Sequence, residues 1–515
     1  MVQINPFLLR VCREIALGAV LSMLIPARVA AANFDVRQYG AIGDGRHMDT
    51  LALQQATDAA ARTGGGTVLF PQGIYLTGTL ELKSHVTLRL DQGAVLLGSP
   101  HRLDYQNGSF HGLVLADQQT DIAIEGAGVI DGQGTALATD IEGRGDGAKR
   151  PHSTAAQRPN LINFRDCTNV MVRGITLRDS ASWVQKYRDC VNLTVENITV
   201  HSIAAMNNDG LDIDGCTHVV VRGCDINSED DGICLKSADQ ACTDVLVENC
   251  RVRSSCNALK FGTESIGGFR NITCRDLEIY DTYISAIALE SVDGGQMENI
   301  NISHVKITGT HNALFLRLGH RHTESAVGSI HNVTLSDIYA QIPHLSPGQM
   351  TQFPFPDPYH TPSLITASIT GLPGHPVQDV TLQNITLDYG GIGNVPPSGA
   401  KRWEDLTEIP ERAKSYPESR MFGTLPAWGF YCRHVQGLRL KNITLRVTGA
   451  DYRPALVADD VGNLFLEGVH IPSATGQPVI VFNDVRDATM RDTDAPAGVT
   501  NFIFTLEKPR NIESY

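Results

Sequence analysis

The segment Asn207-Asn208-Asp209-Gly210-Leu211-Asp212-Ile213-Asp214, followed by Glu229-Asp230-Asp231-Gly232, is the densest carboxylate region of this 515-residue chain. Asp209 and Asp231 are separated by 22 residues. If that interval is one turn of a winding chain, the two stack on one wall about 5 Å apart, the spacing of neighbouring strands, with Asp230 beside them. Three carboxyls so confined cannot all ionise freely. Repulsion raises the proton affinity of at least one, which supplies an acid and a base together near neutral pH. An acid that protonates a leaving oxygen and a base that activates water are the equipment for cleaving a glycosidic bond. Aspartates also gather at solenoid turns, where their side chains satisfy backbone donors or bind Ca²⁺. Asp212, Asp214 and Glu229 fit that second reading better. For Asp209, Asp230 and Asp231, spacing alone leaves both open.

The elements that must position these residues are legible as a repeat. From Asn169 onward a polar anchor is followed by apolar residues at +1, +3, +6 and +8: Val170, Val172, Ile175 and Leu177 after Asn169, and Leu193, Val195, Ile198 and Val200 after Asn192. The pattern recurs after His218, Asp244, Asn271 and Asn299, and less perfectly after Asn332, Asp379, Gly437 and Asn463. Within each copy the apolar residues alternate, skip a step and alternate again, which describes two short strands around a bend, both facing one interior. The first five spacings, 23 to 28 residues, are too short for a strand-and-helix unit of about 30 or more residues. The expected fold class is therefore all-β, a right-handed single-stranded parallel β-helix forming one domain over residues 33–515. Asp49 to Arg62 has helical spacing behind an Asp-Thr start and is expected to cap the N-terminal end of the core. Residues 342–436 hold 13 of the 24 prolines, a density that predicts long ordered loops rather than further strands.

Composition narrows the function classes. The chain is 42% hydrophobic and 19% charged with 48 glycines, which excludes disorder. A formal charge of -14 without lysine or arginine runs leaves no footprint for a nucleic-acid partner. Arg10 and Arg13 precede an apolar stretch from Ile15 to Ile25 and a small-residue tract from Val29 to Ala32. This predicts an export signal over 1–32, a periplasmic or extracellular location, and no stable membrane insertion. Cys167, Cys190, Cys216 and Cys242 each lie two residues before an anchor and are expected to stack as an apolar ladder, although export makes disulfides possible.

The motifs NNDGLD and EDDGIC resemble the signatures of glycoside hydrolase family 28, the polygalacturonase and rhamnogalacturonan hydrolase family. The stretch from Phe34 to Ala60, with GAIGDG and the following Asp49-Thr50, is similar to the opening of pectin-degrading β-helix proteins, a feature shared by phage tailspikes. The resemblance implies a metal-independent, cofactor-free inverting hydrolase with Asp230 as general acid and Asp209 and Asp231 holding the water. Two family signatures differ. Asn257 stands at the histidine position of GHG, and Ala288-Leu289-Glu290 replaces RIK, removing cations expected to hold uronate carboxylates. Lys260 and Arg317 are candidate replacements, each alternatively paired with an acidic neighbour, Glu264 or Glu290. Glu290 suits sugar hydroxyls, and Trp183, one coil before the aspartates, suits stacking on a sugar ring or packing in the core. The expected substrate-binding set is thus Asn257, Lys260, Glu290, Arg317 and Trp183. The expected protein is a monomer acting on α-linked uronic-acid bonds in pectic poly- or oligosaccharides. A polysaccharide lyase and a non-catalytic carbohydrate-binding β-helix are the alternatives.

Overall fold

The computed structural model describes residues 32–514 apart from 107, 145–157, 204, 345–363, 473–477, 495 and 508–509. The expected export signal, except for Ala32, lies outside the described residues. Strands wind in coils, and every strand ladder between them is parallel, so the chain is a parallel β-helix. The +1 residues of the ten repeats stack in one column, from Val170, Leu193, Val219 and Val245 through Ile272, Ile300 and Val333 to Val380, Leu438 and Leu464. All are buried in one continuous apolar core.

The anchors themselves explain the period. Each of the ten has a left-handed backbone, with φ between 50° and 79°. Asparagine, aspartate and glycine tolerate that conformation best among the residue types. A second left-handed residue occupies the +5 position of every repeat, among them Gly174, Asn197, Gly223, Asn249 and Asp276, and forms the bend between the two strands. Side-chain amides link the anchors along the solenoid. Asn192 Nδ2 donates to Asn169 Oδ1 at 2.9 Å, Asn271 Nδ2 to Asp244 Oδ1 at 3.0 Å, and Asn299 Nδ2 to Asn271 Oδ1 at 3.0 Å.

Each coil also has a third strand, which the repeat does not predict and which precedes the anchor. In the central coils these are Gln185–Arg188, Leu211–Asp214, Ile233–Ser237 and Leu259–Ser265, paired in that order. Leu211, Ile213, Ile233, Leu235, Leu259 and Phe261 point into the core. Alternation therefore turns Asp212, Asp214, Cys234, Lys236 and Lys260 to the outer face.

Thr50–Arg62 is a helix, as expected, and buries Leu53, Ala56 and Ala60 in the core beside the first strands. Its Asp49 does not cap it by side chain. The carboxylate instead accepts from Ile42 N at 2.7 Å and Gly43 N at 3.0 Å, tying down the GAIGDG turn. A second helix, Gly134–Arg144, was not predicted. Two strands interrupt the loops expected over 342–436: Val377–Tyr389, which carries the Asp379 anchor, and Ala367–Thr370, which the repeat does not predict, both continuing the coils. The prolines lie in the connections around them. The connection 390–429 has its own small apolar cluster, in which Leu406, Ile409, Phe422 and Leu425 pack on Phe315 and Tyr431 of the coil. All ten described cysteines are buried free thiols. The four ladder cysteines lie in successive coils, with Val191 N bonded to Cys167 O, Thr217 N to Cys190 O and Thr243 N to Cys216 O.

The left-handed anchors generate a prediction. Asn299→Gly and Asn299→Ala both lose the amide ladder, but only alanine carries a Cβ at φ 57°. Chemical denaturation should find the alanine variant less stable than the glycine variant by about 1 kcal/mol; equal stabilities would show that backbone strain does not select the anchors.

Candidate active site

The two Asp-Gly steps precede the outer-face strands Leu211–Asp214 and Ile233–Ser237, and they are in register. Gly210 N donates to Asp231 O at 2.8 Å, and Leu211 pairs with Ile233. Glycine is required here by proximity. A Cβ on Gly210 would lie 2.7 Å from Gly232 O, and one on Gly232 would lie 2.6 Å from Ala258 O. The close approach stacks the aspartates, and one carboxylate oxygen from each of Asp209, Asp230 and Asp231 lies within 4.8 Å of the others. The sequence-predicted trio is assembled.

The three differ in surroundings. Asp231 is buried, and its Oδ1 accepts from Asn257 N at 3.1 Å and Asn257 Nδ2 at 2.8 Å, while its Oδ2 accepts from Lys260 Nζ at 2.9 Å. Burial works to raise its proton affinity, but Lys260, Lys236 and these hydrogen bonds outweigh it, and its pKa is lowered. Asp209 is also buried, with Lys236 Nζ 3.7 Å away. Burial, then the charges of Asp212 and Asp230, drive its pKa well up. Asp230 is partly exposed and accepts from Asp231 N at 2.8 Å and Asn207 Nδ2 at 3.3 Å; burial of the carboxyl and the Asp231 charge raise its pKa. The site therefore has one carboxylate held anionic and two carboxyls that favour their protons, which is the split that acid and base catalysis needs.

The asparagines of NNDGLD are placed by this architecture. Asn207 accepts from Arg158 Nη2 at 2.9 Å and carries that contact to Asp230. Asn208 is buried, donating to Ser180 O and Ser182 O and accepting from Ser202 Oγ and Ala205 N. Asp212 and Asp214 face Lys236 at 3.3 Å and Lys186 at 3.2 Å. Glu229 is buried, and desolvation pushes its pKa up to about 8.

The predicted binding residues separate into three groups. Asn257 and Lys260 sit on Asp231; Glu264 is exposed and is not the partner of Lys260. Trp183 is half-buried and lines a cleft of about 460 Å³ with His111, Arg158, Asn163, Lys186 and Asn207; none of the trio lines it, and Asn207, which donates to Asp230, connects the two. Lys186 and Lys236 lie 4.8 and 4.9 Å from the centre of its ring. Glu290 is fully buried next to the trio; it accepts from Thr263 Oγ1 at 3.4 Å, and burial pushes its pKa up to about 8, so it is neutral at pH 7. Arg317 is turned elsewhere. It is 1% exposed and donates to the main-chain carbonyls of Gly371, at 3.1 Å, and Glu411. It pairs with Glu290 in strand register but makes no ion pair with it, and its role here is to hold the 390–429 connection. A larger, more open groove of about 810 Å³ follows the anchor strands past His218, Asn271 and His304, and none of the trio lines it.

Lys236, Lys186, Arg321 and Tyr416 complete the surroundings of the site and were not singled out from sequence. Lys236 was within reach of strand alternation, two positions after Cys234. Tyr416, which accepts from Lys260 Nζ at 3.4 Å, lies 156 residues away from it in sequence and gave no signal. The oxygens of Asp209, Asp230 and Asp231 are close enough to serve a hard cation. Lys236 and Lys260 already occupy the anionic side of that cluster and oppose the charge a divalent ion requires.

The chain belongs to glycosyl hydrolases family 28, whose model matches residues 66–395. It is 30% identical over 248 residues to a probable polygalacturonase of Vitis vinifera, covering 44% of this chain and 48% of that protein. It is 28% identical over 248 residues to an exo-poly-alpha-D-galacturonosidase of Dickeya chrysanthemi, covering 39% of this chain and 41% of the relative. The chain thus spans under half the length of these two curated relatives. Its fold is similar to that of a hyperthermoactive exopolygalacturonase of Thermotoga maritima, with a TM-score of 0.60, 20% identity, and coverage of 80% of this chain and 91% of that one.

Glu290 generates a pH prediction. Its pKa in the fold is about 8 against an ordinary 4.5, so the unfolded chain releases this proton first. The stability tied to its protonated form is complete below about pH 4.5 and is lost progressively as pH rises toward 8. Glu290→Gln, which keeps the shape without the titration, should show a shallower fall in melting temperature between pH 5 and 8. Parallel curves for the two proteins would place the titration elsewhere.

Proposed function

We propose that this protein is a secreted hydrolase that cleaves α-linked galacturonic-acid bonds in pectin- or rhamnogalacturonan-derived saccharides with inversion of configuration. The observation that carries the reading is the aspartate trio with its divided proton affinities. Family membership and the polygalacturonase names of the relatives support the choice of substrate.

Asp230, partly exposed beside the cleft, donates its proton to the glycosidic oxygen as the bond from that oxygen to the anomeric carbon breaks. Asp231, held anionic by Lys260 and Asn257, takes a proton from water, whose oxygen forms the new bond on the opposite face of the sugar. Asp209 orients that water. The shortest oxygen separations in the trio, within 4.8 Å, are below the roughly 6.5–9.5 Å usual between the two carboxyls of an inverting pair. A third carboxyl accounts for the difference, because the water is gripped between Asp209 and Asp231 instead of filling a gap between acid and base. Asn257 and Lys260 do for Asp231 what binding residues were expected to do for substrate. They fix its orientation and charge.

Three outcomes follow for pectic oligosaccharides. Asp230→Asn should lower kcat by about 10²- to 10⁴-fold while retaining oligosaccharide binding; retained turnover would remove Asp230 from its role. NMR of the first product formed should show the β-anomer, and an initial α-anomer would mean retention through a covalent intermediate. A chelator should leave the rate unchanged and no ultraviolet-absorbing unsaturated product should appear, whereas a lyase gives the opposite result on both counts.

Lys260→Gln tests the electrostatics. Without the ammonium, the Asp231 pKa rises, so the acidic limb of the pH–rate profile should move to higher pH. A limb that does not move would place the base elsewhere.

A further inference from the structure

Tyr416 lies in the 390–429 connection, beyond residue 395 where the family match ends, yet it reaches the site. The connection is pinned to the coil by main-chain contacts. His320 N donates to Ala413 O at 2.7 Å, Arg433 Nη1 to Ile409 O at 2.8 Å, and Arg317 to Glu411 O. Gly319 allows this approach, since a Cβ there would lie 3.3 Å from Ala413 O and 2.7 Å from the Val292 side chain. Pro417 is buried immediately after Tyr416, so the tyrosine projects from a fixed segment while remaining 55% exposed.

Two cations address the Tyr416 ring. Lys260 Nζ is 5.5 Å and the Arg321 guanidinium 5.8 Å from its centre. Arg321 is held edge-on by Asp293, with Nε to Oδ1 at 2.8 Å and Nη2 to Oδ2 at 2.7 Å. That bidentate contact uses one edge of the guanidinium, and Nη1 has no hydrogen-bond partner among the described residues. On the other side of the trio, Trp183 repeats the plan with Lys186 and Lys236 over its ring. Trp183 precedes the strand at 185–188, whereas Lys260 and Arg321 belong to later coils, so the two aromatic rings bracket the aspartates along the solenoid.

We propose that Tyr416 and Arg321 form a specificity-determining platform for a uronosyl residue adjoining the cleaved bond. The apolar face of the sugar rests on the phenol ring, and its carboxylate meets the open edge of the Arg321 guanidinium. This rests on the function proposed above and extends it. A cation absent from the Ala288-Leu289-Glu290 segment is supplied by Arg321 of a later coil, and a loop outside the family match adds the Tyr416 ring. A neutral sugar would lose the carboxylate contact, so the platform selects uronates.

Calorimetric titration of digalacturonate and of neutral galactobiose into the Asp230→Asn protein tests the platform without turnover. Tyr416→Ala in that background should weaken digalacturonate binding by about tenfold, Tyr416→Phe should stay within about twofold, and galactobiose should bind more weakly than digalacturonate. Exposure of Tyr416 leads us to expect an unchanged melting temperature, which separates lost binding from lost folding. Digalacturonate binding that Tyr416→Ala leaves intact, or equal affinity for galactobiose, overturns the proposal. Hydrolysis by the unsubstituted protein is scored separately. Tyr416-dependent binding without hydrolysis would sustain the platform and remove the hydrolase, while hydrolysis with Tyr416-independent binding would do the reverse.

Discussion

Placing three carboxyls within 4.8 Å of one another at a largely buried position is tolerable only because two ammonium groups are placed among them. An unpaired buried carboxylate would neutralise by taking up a proton, and three together would do so readily. Lys260 at 2.9 Å from Asp231 keeps one of the three ionised. Lys236, shared between Asp209 at 3.7 Å and Asp212 at 3.3 Å, compensates charge further along the same face. The result is an asymmetric cluster, in which proton affinity is divided by the position of the cations and not by any difference in the acids themselves.

That asymmetry depends on the solenoid. Lys236 and Lys260 arrive at the trio because residues of successive strands stack in register and alternate between core and outer face. A one-residue slip in Ile233–Ser237 would send Lys236 into the apolar core and Leu235 into the site. Register is fixed in turn by the left-handed Asn, Asp and Gly positions, which start every anchor strand at the same point in the coil. The fold and the chemistry therefore share one constraint.

Asn257 and Glu290, which stand where the sequence resemblance leads one to expect a histidine and a cation, give the site its character. Asn257 bonds Asp231 by both main chain and side chain, so it is part of the support of the base. Glu290, neutral at pH 7, adds a polar group without adding negative charge to an already crowded cluster. Arg317, which looked from its coil position like a replacement cation, anchors a loop through carbonyl oxygens. A long cation fits that task well, because its several donors satisfy buried carbonyls of more than one segment.

The sequence by itself determined the repeat, the parallel β-helix and the meeting of Asp209, Asp230 and Asp231. These depend on local rules: alternation of apolar side chains, tolerance of Asn and Asp for the left-handed backbone, and a coil length near 22 to 28 residues. The third strand of each coil escaped the pattern because its outer face is filled with site residues, Asp212, Lys236 and Lys260 among them, in place of a recurring polar anchor. Only the tertiary structure decided what each cation does. Whether Lys260 pairs with Glu264 four residues on or with Asp231 one coil back, and whether Arg317 meets a saccharide or a loop, depends on which groups the winding and the 390–429 connection place within a few ångströms. Electrostatic interaction depends on distance in space, and sequence separation carries little information about that distance once a chain returns on itself.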